Sequence, residues 1–227
     1  MADRRQSTGP PDSGRPGVGR RAFVHGAAAL GASALAMRSA DAQPATAPSP
    51  KGSTGMINDM TFEDVRTALD LTPNATCGYV RVTFISKHRI APGGMAVPFA
   101  DGRAAGSALY FMLTPEEPVK LHRIRNDQLY HYYLGDPIEV LMMLEDGATE
   151  FHIVGPDIRK GHKVQLFIPG GTFHTARVIG DKRWFLGAST EWPGVEPADV
   201  ELGNADALVA KYPKVAGEIR SFPLPAK

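Results

Sequence analysis

Between Tyr79 and Ala188 the sequence is a succession of short β-branched and aromatic runs, each cut off by Gly, Pro, Asp or Asn. The runs are YVRVTFIS, GSALYFML, LYHYYL, IEVLMML, TEFHIV, KVQLFI, TARVI and RWFLGAST. Partly alternating runs of this length fit strands of a sheet, and the residues between them are turn formers. A parallel sheet is excluded, because each parallel crossover needs a dozen or more residues, usually a helix, and no spacer here holds one. Eight such runs at close spacing predict an all-β antiparallel sandwich or barrel. A chain of 227 residues, 43% of them hydrophobic, can bury one sizeable core, and its one cysteine, Cys77, means no intrachain disulfide is required or available. Cys77 is expected to be a buried, inert thiol. The formal charge of +1, without long Lys/Arg runs, argues against a nucleic-acid-binding surface and for a small-molecule or protein partner.

The strand region is flanked by segments of different period. TFEDVRTALDL predicts a short helix from Thr61, with Asp64 placed as the acid of a capping box and Pro73 beyond its end. After the strands, NADALVAKYP offers Asn204 as a cap and Pro213 as a stop, and PKVAGEIRSF offers a second short helix. There is no internal repeat.

The first 42 residues have another composition again. A polar, Pro/Gly/Ser-rich stretch leads to Arg20 and Arg21, then a short Ala/Gly-rich apolar run, then Ala40 and Ala42 before Gln43. A charged start, a short apolar stretch and an A-x-A site are the parts of a secretory signal, with cleavage expected after Ala42. The paired arginines, with Phe23 close behind, and the low hydrophobicity of the run resemble a twin-arginine export signal. Residues 1–42 are therefore expected to be a signal peptide, 43–55 (QPATAPSPKGSTG) a flexible linker and 56–227 a single domain. Such a protein is periplasmic or secreted, and keeps no stable membrane association after cleavage. Removal of the signal takes away six arginines and three aspartates and leaves 19 basic and 21 acidic residues, a nearly neutral protein.

Leu121 to Pro137 reads LHRIRNDQLYHYYLGDP. It resembles the first signature of the cupin superfamily, in which a histidine and a closing glycine thirteen residues later bracket a strand, turn and strand; here they are His122 and Gly135. Gln128 stands in the slot of that signature's acid, and Ile124 in the slot of its second histidine. The second signature is similar to Gly161 followed by PGGTFH, with Pro169, Gly171 and His174 in their slots. YFMLT (Tyr110 to Thr114), HRIRNDQLYHYYLGDPI (His122 to Ile138), Gly155-Pro156-Asp157, IPGGTF (Ile168 to Phe173) and PADVELGNADALVAKYP together resemble the fifth cupin subfamily, small single-domain cupins of unknown function. That likeness covers residues 61 to 222, with Tyr130 where the subfamily has Trp. It implies a jelly-roll β-barrel with short flanking helices at both ends, and a homodimer.

Strand alternation puts His122 and Ile124 on one face, and Gln128, Tyr130 and Tyr132 together on another, with His131 opposed to these three. In a small barrel His122, Gln128 and His174 would converge inside. Two imidazoles suit a divalent transition metal (Zn, Fe, Ni, Cu or Mn), and an amide at Gln128 would complete the set without the usual carboxylate charge. The other reading satisfies His122 and His174 with tyrosines and backbone carbonyls around a ligand cavity. Tyr130 and Tyr132 offer apolar area and hydroxyls to a ligand and, with His122, an acid–base pair. His131 is expected to pack or to meet a partner, and Arg123 to pair with Asp127 or Asp136. His88, His152 and His162 are expected at the surface or on strands.

These readings lead to an exported protein that binds a small polar molecule, a sugar derivative or an organic acid, in its barrel. Metal-dependent isomerase, lyase or oxygenase chemistry, metal-free epimerase or isomerase chemistry through His and Tyr, and binding without turnover all remain open.

Overall fold

The computed structural model describes residues 59–222 except Lys182, so the signal, its cleavage position and the linker lie outside the described residues. The first helix, α1 (Phe62–Ala68), is held by a reciprocal cap. The Asp64 amide donates to Thr61 Oγ1 at 3.2 Å, and the Asp64 carboxylate accepts the Thr61 amide at 2.9 Å. This is the capping box anticipated from the sequence.

The strands that follow are β1 (Thr72–Pro73), β2 (Tyr79–Ile85), β3 (Arg89–Ile90), β4 (Arg103–Ala104), β5 (Ser107–Leu113), β6 (Val119–Ile124) and β7 (Asp127–Gly135). After them come β8 (Ile138–Met143), β9 (Thr149–Val154), β10 (Gln165–Ile168), β11 (Phe173–Val178), β12 (Phe185–Trp192) and β13 (Val200–Leu202). Two short helices, α2 (Ala205–Lys211) and α3 (Ala216–Ser221), close the described chain. Asn204 caps α2 by accepting the Ala207 amide at 3.0 Å. Among the described residues no helix is long and apolar enough to cross a membrane.

All named strand pairings are antiparallel. A six-stranded sheet runs β1-β2-β5-β12-β7-β10, and a five-stranded sheet runs β13-β6-β11-β8-β9. Their inner faces share one core, in which Phe111, Tyr130, Leu166 and Phe185 of the first sheet pack with Ile138, Val140, Met142 and Ala176 of the second. The outer face of the five-stranded sheet is covered by α2 and α3, whose Leu208 and Ile219, with Phe222, pack on Leu121, Leu141 and Met143. The outer face of the six-stranded sheet meets α1 through Val65, Met112, Trp184 and Leu186. Strand β8 therefore reads as a nearly unbroken apolar run because Val140 and Met142 face the barrel core while Leu141 and Met143 face the helices. The eight runs picked out in the sequence correspond to β2, β5 and β7 to β12.

The glycine that closes the first signature has a steric reason. Gly135 has φ of +85°, and a Cβ there would lie 2.3 Å from the Trp184 carbonyl oxygen. The turn into β8 thus demands both a left-handed residue and a bare Cα, which glycine alone supplies.

Candidate functional site

A cavity of about 450 Å³ opens into the barrel. Most of its wall is apolar, formed by side chains such as Val80, Leu109, Phe111, Ile124 and Val200. Its polar wall is built by strands of both sheets. His122 comes from β6, Gln128 and Tyr130 from β7, Ser189 and Glu191 from β12, and Ser107 from β5 stands behind Glu191. An apolar pocket with a few convergent polar groups is the usual form of a small-molecule site.

His122 reaches the barrel interior because β6 is irregular. In its pairing with β11, Val119 stands opposite Ala176 and His122 opposite His174, three steps along β6 against two along β11. That extra residue turns both Val119 and His122 inward, whereas strict alternation would have set them on opposite faces. His122 is buried, and its Nδ1 lies 2.7 Å from the Lys120 carbonyl oxygen. A carbonyl only accepts, so Nδ1 carries the proton and donates it. Burial pushes the His122 pKa down to about 4, which makes the ring neutral at pH 7 and leaves Nε2 as an acceptor.

His174 is completely buried and stands one layer behind the cavity wall. Its Nδ1 donates to the Thr172 carbonyl at 3.2 Å, and burial followed by the neighbouring His122 drives its pKa well down. Its Nε2 therefore accepts from the Tyr130 hydroxyl at 2.9 Å. The two imidazole centroids are 4.4 Å apart. Tyr130 is buried, and burial drives its pKa well above the usual phenol value. It stays a neutral phenol whose one proton is committed to His174.

Glu191 is the residue that sequence reasoning missed. It is 2% exposed and stands directly across the sheet from Gln128 on one side and Ser107 on the other. The Ser107 hydroxyl donates to Glu191 Oε2 at 2.6 Å, and the Ser189 hydroxyl donates to Gln128 Oε1 at 3.3 Å. Burial raises the Glu191 pKa, opposed in part by the Ser107 hydrogen bond and then by the nearby Ser189 hydroxyl. The signal was present in the sequence: alternation from the inward Phe185 carries Ser189 and Glu191 to the same face, but RWFLGAST ends one residue short of the glutamate.

Tyr132 differs from its expected place. It packs at the edge of the core beside Phe185, does not line the cavity, and donates its hydroxyl to the Gly135 carbonyl at 2.8 Å. The turn at the end of its own strand consumes the donor that a ligand would need. His131 points away from the cavity, its Nε2 2.9 Å from Thr190 Oγ1 and its Nδ1 3.1 Å from Gln165 Nε2. Arg123 pairs with Glu201 of β13 at 2.7 Å rather than with Asp127 or Asp136, because β13 lies beside β6 in register and sets the two residues opposite each other. Cys77 lies in the cavity wall with its thiol pushed up to about 11 by burial, consistent with an inert sulfur.

As a metal centre the donor set is incomplete. His122 and His174 supply two imidazoles, but the His174 Nε2 is already engaged by Tyr130 and the Gln128 oxygen by Ser189. Among the described residues no group of three or more His, Cys, Asp and Glu side chains is placed to hold a metal ion. The residues present do not make up the three- or four-ligand shell that a catalytic transition metal takes.

The likenesses to known proteins follow the same frame. The family described as Cupin superfamily (DUF985) matches residues 63–203. A hypothetical protein from Leishmania major superposes with a TM-score of 0.66 at 25% identity, covering 73% of this chain and 99% of its own. A crystal structure of a protein from Shewanella oneidensis gives 0.63 at 22% identity, covering 74% of this chain and 99% of its own. No curated protein matches the sequence. With the family model matching well over half of its length, the chain belongs to the cupin superfamily, in the DUF985 family.

Proposed function

We propose that this protein is an exported, small-molecule-binding cupin that can move a proton on its ligand without a metal. The observation that carries the reading is the convergence of His122, Tyr130 and Glu191 on one wall of an otherwise apolar cavity. Glu191 is the acid–base group, since burial has brought its carboxyl pKa up and general acid–base catalysis works best with a pKa near the working pH. Tyr130, locked by His174, and His122, locked by the Lys120 carbonyl, hold a ligand in a fixed orientation against it. Epimerisation or isomerisation through proton abstraction and return is the reaction class these groups serve.

Export by the twin-arginine-type signal, cleavage after Ala42 and a periplasmic or secreted location belong to the same proposal and rest on residues 1–42. So does a homodimer. Strand β2 pairs with β1 over only two residues on its outer side and exposes Val82, Phe84 and Ile85, a run that a second copy would cover.

Protein recovered from its native compartment tests the reading by metal analysis and native mass spectrometry together. The expected result is a co-purifying small organic molecule and no stoichiometric metal. A metal present at one per chain and lost in a His122→Ala variant would overturn it.

A further inference from the structure

The proton inventory of the cavity is one-sided. His122 has its proton on Nδ1, held by the Lys120 carbonyl, so the ring's remaining nitrogen accepts. Tyr130 points its one proton at His174 in a hydrogen bond, so its oxygen has only lone pairs left for a ligand. Glu191, when ionised, accepts through both oxygens and has one bond from Ser107. The side-chain amides of Gln128 and Asn74 are the donor groups that this wall retains against these acceptors.

The charge inventory leans the same way. Among the described residues that line the cavity there are two carboxylates, Glu191 and Glu196, and no lysine or arginine. Arg103, outside the lining, reaches Glu196 at 3.6 Å but is committed to Asp101 at 2.6 Å and faces buried Asp199 at 3.4 Å. Both histidines of the site are neutral for the reasons given above. A carboxylate or phosphate ligand would enter a buried space with no cation to meet it, which is a costly way to bury charge. A ligand that brings donors and positive charge meets acceptors already in place.

We infer that the cavity takes a small amine, a molecule with an apolar body and an ammonium group that lies against Glu191 between Tyr130 and His122. This rests on the cavity being the ligand site and replaces the sugar derivative or organic acid suggested by the sequence with a cationic class. Gln128, neutral beside Glu191, leaves Glu191 as the buried carboxylate that selects the ammonium, Glu196 being half exposed and 3.6 Å from Arg103, where two adjacent buried carboxylates would repel each other.

Three probes that share a phenylethyl body test the inference: 2-phenylethylamine, 2-phenylethanol and 3-phenylpropanoate. Their dissociation constants for the folded domain are read from NMR shifts of the Ile124, Leu109 and Val80 methyl groups. The amine should bind at least about tenfold more tightly than the carboxylate, the size of one charge-assisted hydrogen bond, with the alcohol between them. In Glu191→Gln the amine should fall to the level of the alcohol. The wild-type comparison decides the matter even if that variant does not fold. A carboxylate that binds as well as the amine overturns the amine assignment, an amine preference that survives in Glu191→Gln overturns the placement of the ammonium against Glu191, and either result leaves the cavity reading intact. Failure of all three probes to shift the methyl groups overturns both.

Discussion

Acid should loosen this protein through His122, and the size of the effect follows from burial. An unfolded histidine titrates near 6.5, whereas the buried ring titrates at about 4. The charged form is the one the fold disfavours, so between those two values the unfolded chain binds more protons than the native protein. The stability associated with a neutral His122 is complete above pH 6.5 and is lost as the pH falls towards 4. Linkage puts the loss at about 2 kcal/mol at pH 5, rising to about 3 kcal/mol below pH 4. His174, also lowered by burial, adds to the loss. Glu191, whose folded pKa is raised, acts the other way: its contribution is present at low pH and disappears as the pH rises through its folded value. The His122 share is isolated by comparison with His122→Gln, which keeps a polar side chain but cannot titrate. Urea unfolding at pH 7 and pH 5 should show the parent losing about 2 kcal/mol more than the variant. Equal losses would refute the claim that His122 is held neutral inside the barrel.

Two further perturbations test the scaffold. Gly135→Ala should cost at least about 2 kcal/mol, from the left-handed backbone plus the 2.3 Å approach to the Trp184 carbonyl, and should appear as a lower denaturation midpoint. Phe222→Ala, at a side chain 2% exposed between α3 and the five-stranded sheet, should cost about 3–5 kcal/mol in the same assay, and a smaller loss would mean that the terminal helices are not part of the core.

The scaffold was far more legible than the site. Strands buried on one or both faces leave a periodic trace, so eight of them could be read from YVRVTFIS to RWFLGAST, and the caps at Thr61 and Asn204 announced α1 and α2. Strand β6 is not among those runs and was placed only through the likeness to the first signature, because VKLHRI carries cations at Lys120 and Arg123 and an extra residue that breaks its alternation. That same irregularity brings His122 inside, so the feature that hid the strand is the one that makes the site. Glu191 was missed for a different reason. Its place beside Gln128, 63 positions earlier in the chain, is a matter of register between β7 and β12, and nothing local to either residue encodes that pairing. Tyr132 shows the limit of alternation: it shares a face with Tyr130, but the turn at Gly135 captures its hydroxyl, and a face assignment says nothing about which donor is already spent.

The acceptor character of the cavity depends on where the protons of His122, His174 and Tyr130 sit. Long-range ¹⁵N–¹H correlation of labelled imidazoles at pH 7 observes this directly, with resonances assigned through His122→Gln and His174→Gln. Both rings should be neutral with the proton on Nδ1, and Tyr130→Phe should shift Nε2 of His174 towards the value of an unbonded nitrogen. An imidazolium at either position, or a proton on Nε2 of His122, would contradict the acceptor-lined cavity on which the proposed function rests.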